Sequence, residues 1–292
     1  MDHSEQTLSS PHQKTGDQAA VRDSEVRFAF GKNWQRFLRY LNEQRISEAT
    51  TSLEAMLEIK SLSGKSFLDV GCGSGLFSLA AMRLGAARVH SFDYDPQSVA
   101  CARELKERYF RNAGNWSIEQ ASALDQDYLS HIGQFDVVYS WGVLHHTGNM
   151  WQAMENLVPL VVSDGKVFIA LYNDQGLASR IWCSIKRFYV RVPWLRWLCI
   201  AVYGSYLIVG RFIKDVIVLR SNPLKRYRQL EGRRGMSYLT DMLDWLGGYP
   251  FEVASPESVF MFFRSRGFEL LRLKTVGGRV GPNEFVFSKC LK

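Results

Sequence analysis

The five cysteines, Cys72, Cys101, Cys183, Cys199 and Cys290, form no Cys-x-x-Cys pair and no Cys/His cluster, so neither a zinc ribbon nor a dithiol redox centre is encoded. Scattered thiols fit a reducing compartment, and a cytoplasmic location is expected. No His/Asp/Glu spacing specifies a metal, and no metal ligand is assigned, with a carboxylate-bound magnesium left open. The N-terminus lacks an apolar stretch behind a basic start, which argues against a secretory signal. Residues 1–25 are polar, with almost no large apolar side chains, and read as a disordered tail. There is no internal repeat and no low-complexity tract.

At 292 residues and 46% apolar composition, the chain suits one large domain carrying an insertion. Its centre is Phe67-Leu68-Asp69-Val70-Gly71-Cys72-Gly73-Ser74-Gly75-Leu76-Phe77-Ser78. An apolar run leads into three alternate glycines, and a helical run starts near Leu76. This is a buried strand, a tight turn and a helix N-terminus. Two nucleotide signatures are missing. A dinucleotide fingerprint requires glycine at position 76, where Leu76 stands, and no Gly-Lys-Ser/Thr comes after the turn to hold phosphates. Asp69, at the strand's C-terminal end, disfavours a pyrophosphate and favours a cation. S-adenosylmethionine (SAM) carries an ammonium and a sulfonium and no phosphate. The stretch resembles the first motif of the class I SAM-dependent methyltransferases. The resemblance implies a Rossmann-like seven-stranded α/β sheet with helices on both faces, and SAM held at Asp69, Gly71, Gly73 and Gly75.

The segments beyond the glycine turn strengthen that reading. A second strand, Ala87 to Phe92, ends in Asp93-Tyr94-Asp95-Pro96, with Asp93 standing 24 residues after Asp69. A carboxylate there can accept from both hydroxyls of a ribose. Asp95-Pro96 starts a helix, as N-cap and first helical residue. A third strand, about Trp116 to Gln120, leads to Ala121-Ser122-Ala123-Leu124-Asp125. The family often has Asp-Ala here at the adenine, whereas Ser122 occupies the acid's place and Asp125 comes later. Ser122 and Ala123 are the expected adenine contacts. Tyr94, Ser140 and Trp141, at strand ends, complete the expected cofactor set.

Phe135-Asp136-Val137-Val138-Tyr139-Ser140 is the fourth strand and opens into Trp141-Gly142-Val143-Leu144-His145-His146. Loops at the carboxyl ends of such strands face ligands. The segment resembles the Phe-Asp-x-Val…Leu-x-His motif of quinone-pathway and related small-molecule methyltransferases, with His146 on the motif's histidine and His145 where glutamate is common. Histidine is also the side chain that titrates nearest neutrality. His146, and after it His145, are the candidate bases; the alternative is loop histidines bonded to backbone. The fifth strand, Lys166 to Leu171, ends in Tyr172-Asn173-Asp174, where Tyr172 and Asn173 are candidates for orienting the acceptor. Tyr249 and Glu252, in a block dense in Gly, Trp and Tyr, are further candidates, against a purely structural turn. Two C-terminal strands, Phe268 to Thr275 and Glu284 to Lys289, are expected, the last antiparallel.

The expected organisation is a tail (1–25), an N-terminal helical cap (26–62), a SAM-binding domain (63–174 and 245–292) and a helical insertion (175–244). The aromatic approach Phe28 to Trp34 is either a cap packed on the sheet domain or a flap over the cofactor. The chain's net charge of +7 is concentrated: residues 180–234 hold 13 Lys/Arg against two acids, a local charge of +11. Within them Trp197 to Gly210 is an uncharged apolar run, shorter than the ~20 residues of a spanning helix. It reads as a buried lid helix or as a peripheral docking segment for an anionic membrane surface.

The leading expectation is therefore an enzyme: SAM-dependent methylation of a small acceptor, apolar or membrane-associated, at oxygen, nitrogen or carbon. RNA methylation with the basic insertion on phosphates is the second reading, weakened by the apolar run and by the lack of an Asn-Pro-Pro-Tyr motif after the fourth strand. No DNA partner is indicated. A non-catalytic SAM-binding module is a third reading, and an NAD dehydrogenase a fourth, disfavoured by Leu76.

Overall fold

The structure, a computed structural model, describes residues 30–213, 238–278 and 281–290. The expected tail, Phe28, the distal half of the basic segment (214–234), Gly235, Met236 and the hairpin tip at Arg279 and Val280 lie outside the described residues.

Strand β1 (Ser66–Val70) is buried on both faces, with Phe67, Leu68 and Val70 fully enclosed. A strand covered on both sides reads as a continuous apolar run, which is why this segment lacks alternation. It pairs in parallel with β2 (Arg88–Asp93) and with β4 (Phe135–Trp141). The remaining strands are β3 (Trp116–Gln120), β5 (Val161–Tyr172), β6 (Phe268–Lys274) and β7 (Pro282–Lys289). They form one seven-stranded sheet in the order β3-β2-β1-β4-β5-β7-β6. Only β7 runs antiparallel to its neighbours. This is the expected sheet. The strand order reverses between β1 and β4, so the loops after those two strands open into one crevice.

Side chains of β1 alternate between two cores, as a pleated strand requires. Leu68 and Val70 join a cluster under α5 (Gln126–His131), α6 (Met150–Leu157) and α10 (Pro256–Arg264), while Phe67 joins a second cluster under α2 (Glu43–Leu57), α3 (Leu76–Arg83) and α4 (Pro96–Phe110). Helix α6 stops at Leu157, and a 3-10 turn, Val158–Leu160, precedes β5. Pro159 in that turn has no N–H to continue the helix.

The N-terminal cap is built of two helices. Helix α1 (Gly31–Arg39) ends at Tyr40, and Asn42 caps α2 by accepting from Arg45 N–H at 3.0 Å. Helix α1 lies on α4: Gly31 N–H donates to Asp95 Oδ2 at 2.9 Å, and Arg108 donates to Leu38 O at 3.2 Å.

After β5 come α7 (Leu177–Arg191), α8 (Arg196–Ile213) and α9 (Tyr238–Gly247). They share a small core of Tyr189, Val190, Met242, Leu246 and Tyr249. Helix α9 runs through the boundary expected at residue 244, so the helical insertion continues to Gly247. The apolar run has a packed face and an exposed face. Cys199, Ile200, Tyr203 and Leu207 pack on that core, while Trp197, Leu198, Val202, Tyr206 and Val209 are exposed. Among the described residues, no helix is long and apolar enough to cross a membrane.

Candidate active site

The glycine turn is built for close approach. Gly71, Gly73 and Gly75 all have positive φ, at 75°, 53° and 79°, a region in which side-chain-bearing residues are strained. Gly71 and Cys72 N–H groups both donate to Phe92 O, at 2.8 and 3.0 Å, tying the turn to the end of β2. A Cβ on Gly71 would come within 2.3 Å of Val143, from the loop after β4. A Cβ on Gly73 would come within 2.8 Å of the Trp34 indole. The turn is therefore closed on one side by the β4 loop and on another by the N-terminal cap.

Asp93 stands at the end of β2 as expected. Its Oδ2 accepts from Gly73 N–H and its Oδ1 from Asp95 N–H, both at 2.9 Å. Burial pushes its carboxyl up to about 6, against the backbone hydrogen bonds that lower it. Its two oxygens offer about four acceptor positions, of which the Gly73, Asp95 and Tyr94 N–H groups take a part. Asp69 is more enclosed, at 2% exposure. Its Oδ2 accepts from Ser78 Oγ in α3, Ser78 Oγ lies 2.8 Å from Ser91 Oγ, and Trp116 Nε1 donates to Ser91 Oγ at 2.9 Å. Burial, with the nearby Asp93 charge, raises Asp69 to about 7, while the Ser78 bond opposes this. Asp69 thus straps the glycine turn to helix α3.

The other expected cofactor residues divide. Ser122 Oγ accepts from Leu124 N–H at 3.1 Å and shapes the turn after β3; buried Ala123 comes next, and Asp125 is the N-cap of α5 rather than a ring partner. Tyr94 is exposed beside Asp93. Ser140 is fully buried and its hydroxyl donates to Val70 O at 3.1 Å, which ties β4 to β1. Trp141 is half-buried, with Nε1 donating to Glu284 Oε1 at 3.4 Å.

The two histidines form a 3-10 turn after β4, Leu144–His146, beside Tyr172 at the end of β5. His146 Nδ1 lies 2.7 Å from Pro250 O. A carbonyl only accepts, so Nδ1 carries the proton and Nε2 keeps a lone pair. Burial pushes His146 down to about 3, offset in part by the Pro250 bond and reinforced by the Lys186 charge. His145 is fully buried; Tyr172 N–H donates to its Nδ1 at 3.4 Å, and burial, then His146 and Lys186, hold it well below its ordinary value. The rings of His145 and His146 lie 4.4 Å apart, and Tyr172 lies 4.0 and 5.6 Å from them. Phe30, at the start of the cap, reaches His146 at 5.3 Å.

The expected acceptor residues also separate. Tyr172 is central: besides the histidines it contacts Trp245 at 5.5 Å and Phe251 at 5.2 Å. Asn173 Oδ1 accepts from Asn283 at 3.0 Å, which joins β5 to β7. Tyr249 is buried in the lid core. Glu252 accepts from Met150 N–H at 3.0 and 3.1 Å, which caps α6, and its own N–H donates to His145 O at 2.9 Å. It positions the histidine turn.

Sequence reasoning passed over Lys186. It is fully buried, donates to Trp245 O, and its ammonium stands 4.0 Å over the Trp245 ring and 4.9 Å over Phe251. Its position on the same face of α7 as Tyr189 and Val190 was the available signal.

Residues 68–167 match the family described as a methyltransferase domain. The ribosomal protein L11 methyltransferase of Aeromonas hydrophila is 51% identical over 47 residues, which cover 16% of each chain. The chain thus spans only about a sixth of that relative's length. Among solved structures, magnesium protoporphyrin IX methyltransferase from Synechocystis PCC 6803, with bound S-adenosylhomocysteine, superposes with a TM-score of 0.51 at 14% identity, covering 93% of this chain and 99% of that one. The cyclase SpnF superposes with a TM-score of 0.50 at 12% identity, covering 83% of this chain and 80% of that one. At these identities the likeness is one of fold.

Proposed function

We propose that this chain, whose residues 68–167 carry a methyltransferase domain, is a SAM-dependent methyltransferase acting on a small, apolar acceptor. The observation that carries the reading is Asp93, a partly exposed carboxylate fixed at the mouth of the switch-point crevice by Gly73 and Asp95 N–H groups. Its remaining lone pairs suit a vicinal diol. The residues present fit SAM. The glycine turn offers backbone without side chains, Asp69 and Asp93 supply negative charge, and nothing in the turn is built to hold phosphate.

SAM, when bound, supplies an activated methyl group on sulfur. The chain's own residues then have three tasks. Asp93 and the glycine turn orient the donor. Tyr172, Trp245 and Phe251 form an aromatic wall beside the histidine turn, which suits an apolar acceptor and excludes water. His146, neutral and with Nε2 free of its Pro250 bond, takes a proton from the acceptor. Holding the reactants in line is the larger part of such catalysis.

An apolar acceptor also needs a route to the site. The outer face of α8 presents Trp197, Leu198, Val202, Tyr206 and Val209, with Trp194 just before it. No acid stands between Gln175 and Ile213, where Arg180, Arg187, Arg191 and Arg196 are found. Such a face supports docking on an anionic bilayer, from which an apolar acceptor enters under the lid. The fold-likeness to a cyclase favours testing transfer itself. Cell extract incubated with methyl-labelled SAM, with and without the protein, is separated into lipid, RNA, protein and small-molecule fractions. Protein-dependent label in the lipid or small-molecule fraction is expected. Label confined to RNA or protein would overturn the acceptor class, and no label in any fraction would overturn the activity.

A further inference from the structure

One buried donor at the site has no partner. His145 accepts at Nδ1 from Tyr172 N–H, so the neutral ring carries its proton on Nε2, and that atom is buried without a hydrogen-bond partner. An orphaned N–H of this kind carries an uncompensated desolvation cost and needs an explanation. Trp245 Nε1, on a ring 5.5 Å from Tyr172, is a second buried donor without a partner. Beside His145 lies His146 with the opposite tautomer: its proton is on Nδ1, held by Pro250 O, and its Nε2 is an acceptor. The two adjacent histidines therefore present one donor and one acceptor, and each assignment is fixed by a backbone partner.

We propose that this pair selects an oxygen nucleophile bearing a proton, a hydroxyl of phenol-like acidity, with His145 Nε2–H donating to the reacting oxygen and His146 Nε2 accepting its proton. The inference rests on the methyltransferase reading and deepens it. Counting lone pairs decides the class. A hydroxyl oxygen has two lone pairs: one accepts from His145 while the other attacks the methyl group, and its proton goes to His146. A neutral amine has a single lone pair, which a bond from His145 would block. A carbon nucleophile gives His145 nothing to bond. A carboxylate has no proton to give, and its oxygens would face the His146 lone pair. In the step, the oxygen–methyl bond forms as the sulfur–methyl bond breaks with its electron pair to sulfur, and the hydroxyl proton passes to His146 Nε2. Atoms and charge balance, because the sulfonium charge ends as a proton on imidazole.

The acidity requirement comes from the surroundings. Burial and Lys186 keep both rings neutral, so His146 is a weak base and the hydroxyl must part with its proton readily.

Three experiments test the pair without confusing it with the activity as a whole. Nitrogen-15 correlation spectra of the imidazoles in the full-length protein should show opposite neutral tautomers, Nε2-protonated for His145 and Nδ1-protonated for His146, and His145→Phe and His146→Phe each remove one set of signals. Identical tautomers, or a charged ring at neutral pH, would overturn the proposal. Chemical analysis of the labelled product from extract should give a methyl ether, stable to alkali. A base-labile methyl ester, an N-methyl product or a C-methyl product overturns the inference and leaves the methyltransferase reading standing. Absence of any labelled product overturns that reading instead, while the tautomers remain a separate measurement. For the hydroxyl acceptor so found, His145→Phe should lower kcat/KM about 10- to 100-fold, because the hydroxyl loses the hydrogen bond that makes its proton easier to remove, with SAM affinity retained. His145→Gln, which keeps an N–H, should recover part of the loss, and equal losses in both variants count against the donor role.

Discussion

The Trp34 indole lies on Gly73, so close that a Cβ there would sit 2.8 Å from the ring. A residue of the N-terminal cap and the middle glycine of the turn are thereby one packing unit. Gly73→Ala also strains a backbone held at φ 53°. We expect this substitution to displace the indole and to weaken SAM binding, both visible in a fluorescence titration that follows Trp34 against a Trp34→Phe control. Unaltered emission and affinity would separate the cap from the cofactor site.

Asp93→Ala removes the acceptor of Gly73 N–H along with the expected ribose partner. Loss of SAM affinity on the order of 1–3 kcal/mol per charged hydrogen bond is expected by calorimetry. Asp93→Asn keeps the size and acceptor oxygen and should lose less. Wild-type affinity in both variants would remove Asp93 from the cofactor site.

The two carboxyls also predict a pH effect. Asp69 is raised to about 7 and Asp93 to about 6, chiefly by burial. A raised folded value means that their contribution to stability is fully present below the unfolded value near 3.9 and is lost as pH rises through 6 to 7. The ligand-free protein should therefore melt at lower temperature at pH 8 than at pH 5.5, as far as these two groups control it. A cationic ligand favours the ionised carboxylates, so SAM should bind more tightly as pH rises through this window and should release protons on binding. Titrations in buffers of different ionisation enthalpy measure that release; proton uptake would contradict the assignment.

How much of the fold and site was legible in the chain depends on the range of each interaction. The strand–turn–helix, Asp93, the Asp95-Pro96 helix start and the antiparallel last strand are local patterns, and the structure has them. The roles of Ser140 and Glu252 were not legible. Ser140 spends its hydroxyl on Val70, 70 residues earlier, and Glu252 caps a helix 102 residues away. Strand-end position foretold proximity to the crevice but not which polar atoms the fold itself would use. The tautomer of His146 likewise depends on Pro250 O, which nothing near His146 in the chain announces. Lys186 looked like one more basic residue of a basic helix until its face was known to be inward.

Removal of the base is the next test. His146→Ala should lower turnover by roughly 10²–10⁴ and leave SAM affinity near wild type. Since the folded value is about 3, the wild-type rate should show no inflection from His146 between pH 5 and 8. A rate limb in that range that disappears in the variant would show that His146 titrates where burial should prevent it.

The outer face of α8 gives a separate outcome. The protein should sediment with anionic vesicles and release with salt, and Trp197→Glu with Val202→Glu, both on exposed positions, should abolish sedimentation without changing SAM binding. Retained sedimentation in that variant, or none in wild type at low salt, would leave α8 as a lid helix only.

The most direct test of the central claim is equilibrium titration of the purified full-length chain with SAM, run beside NAD. The account predicts saturable one-to-one binding of SAM that Asp93→Ala weakens, and no binding of NAD. No heat and no thermal shift with SAM at any concentration, or preference for NAD, would contradict it.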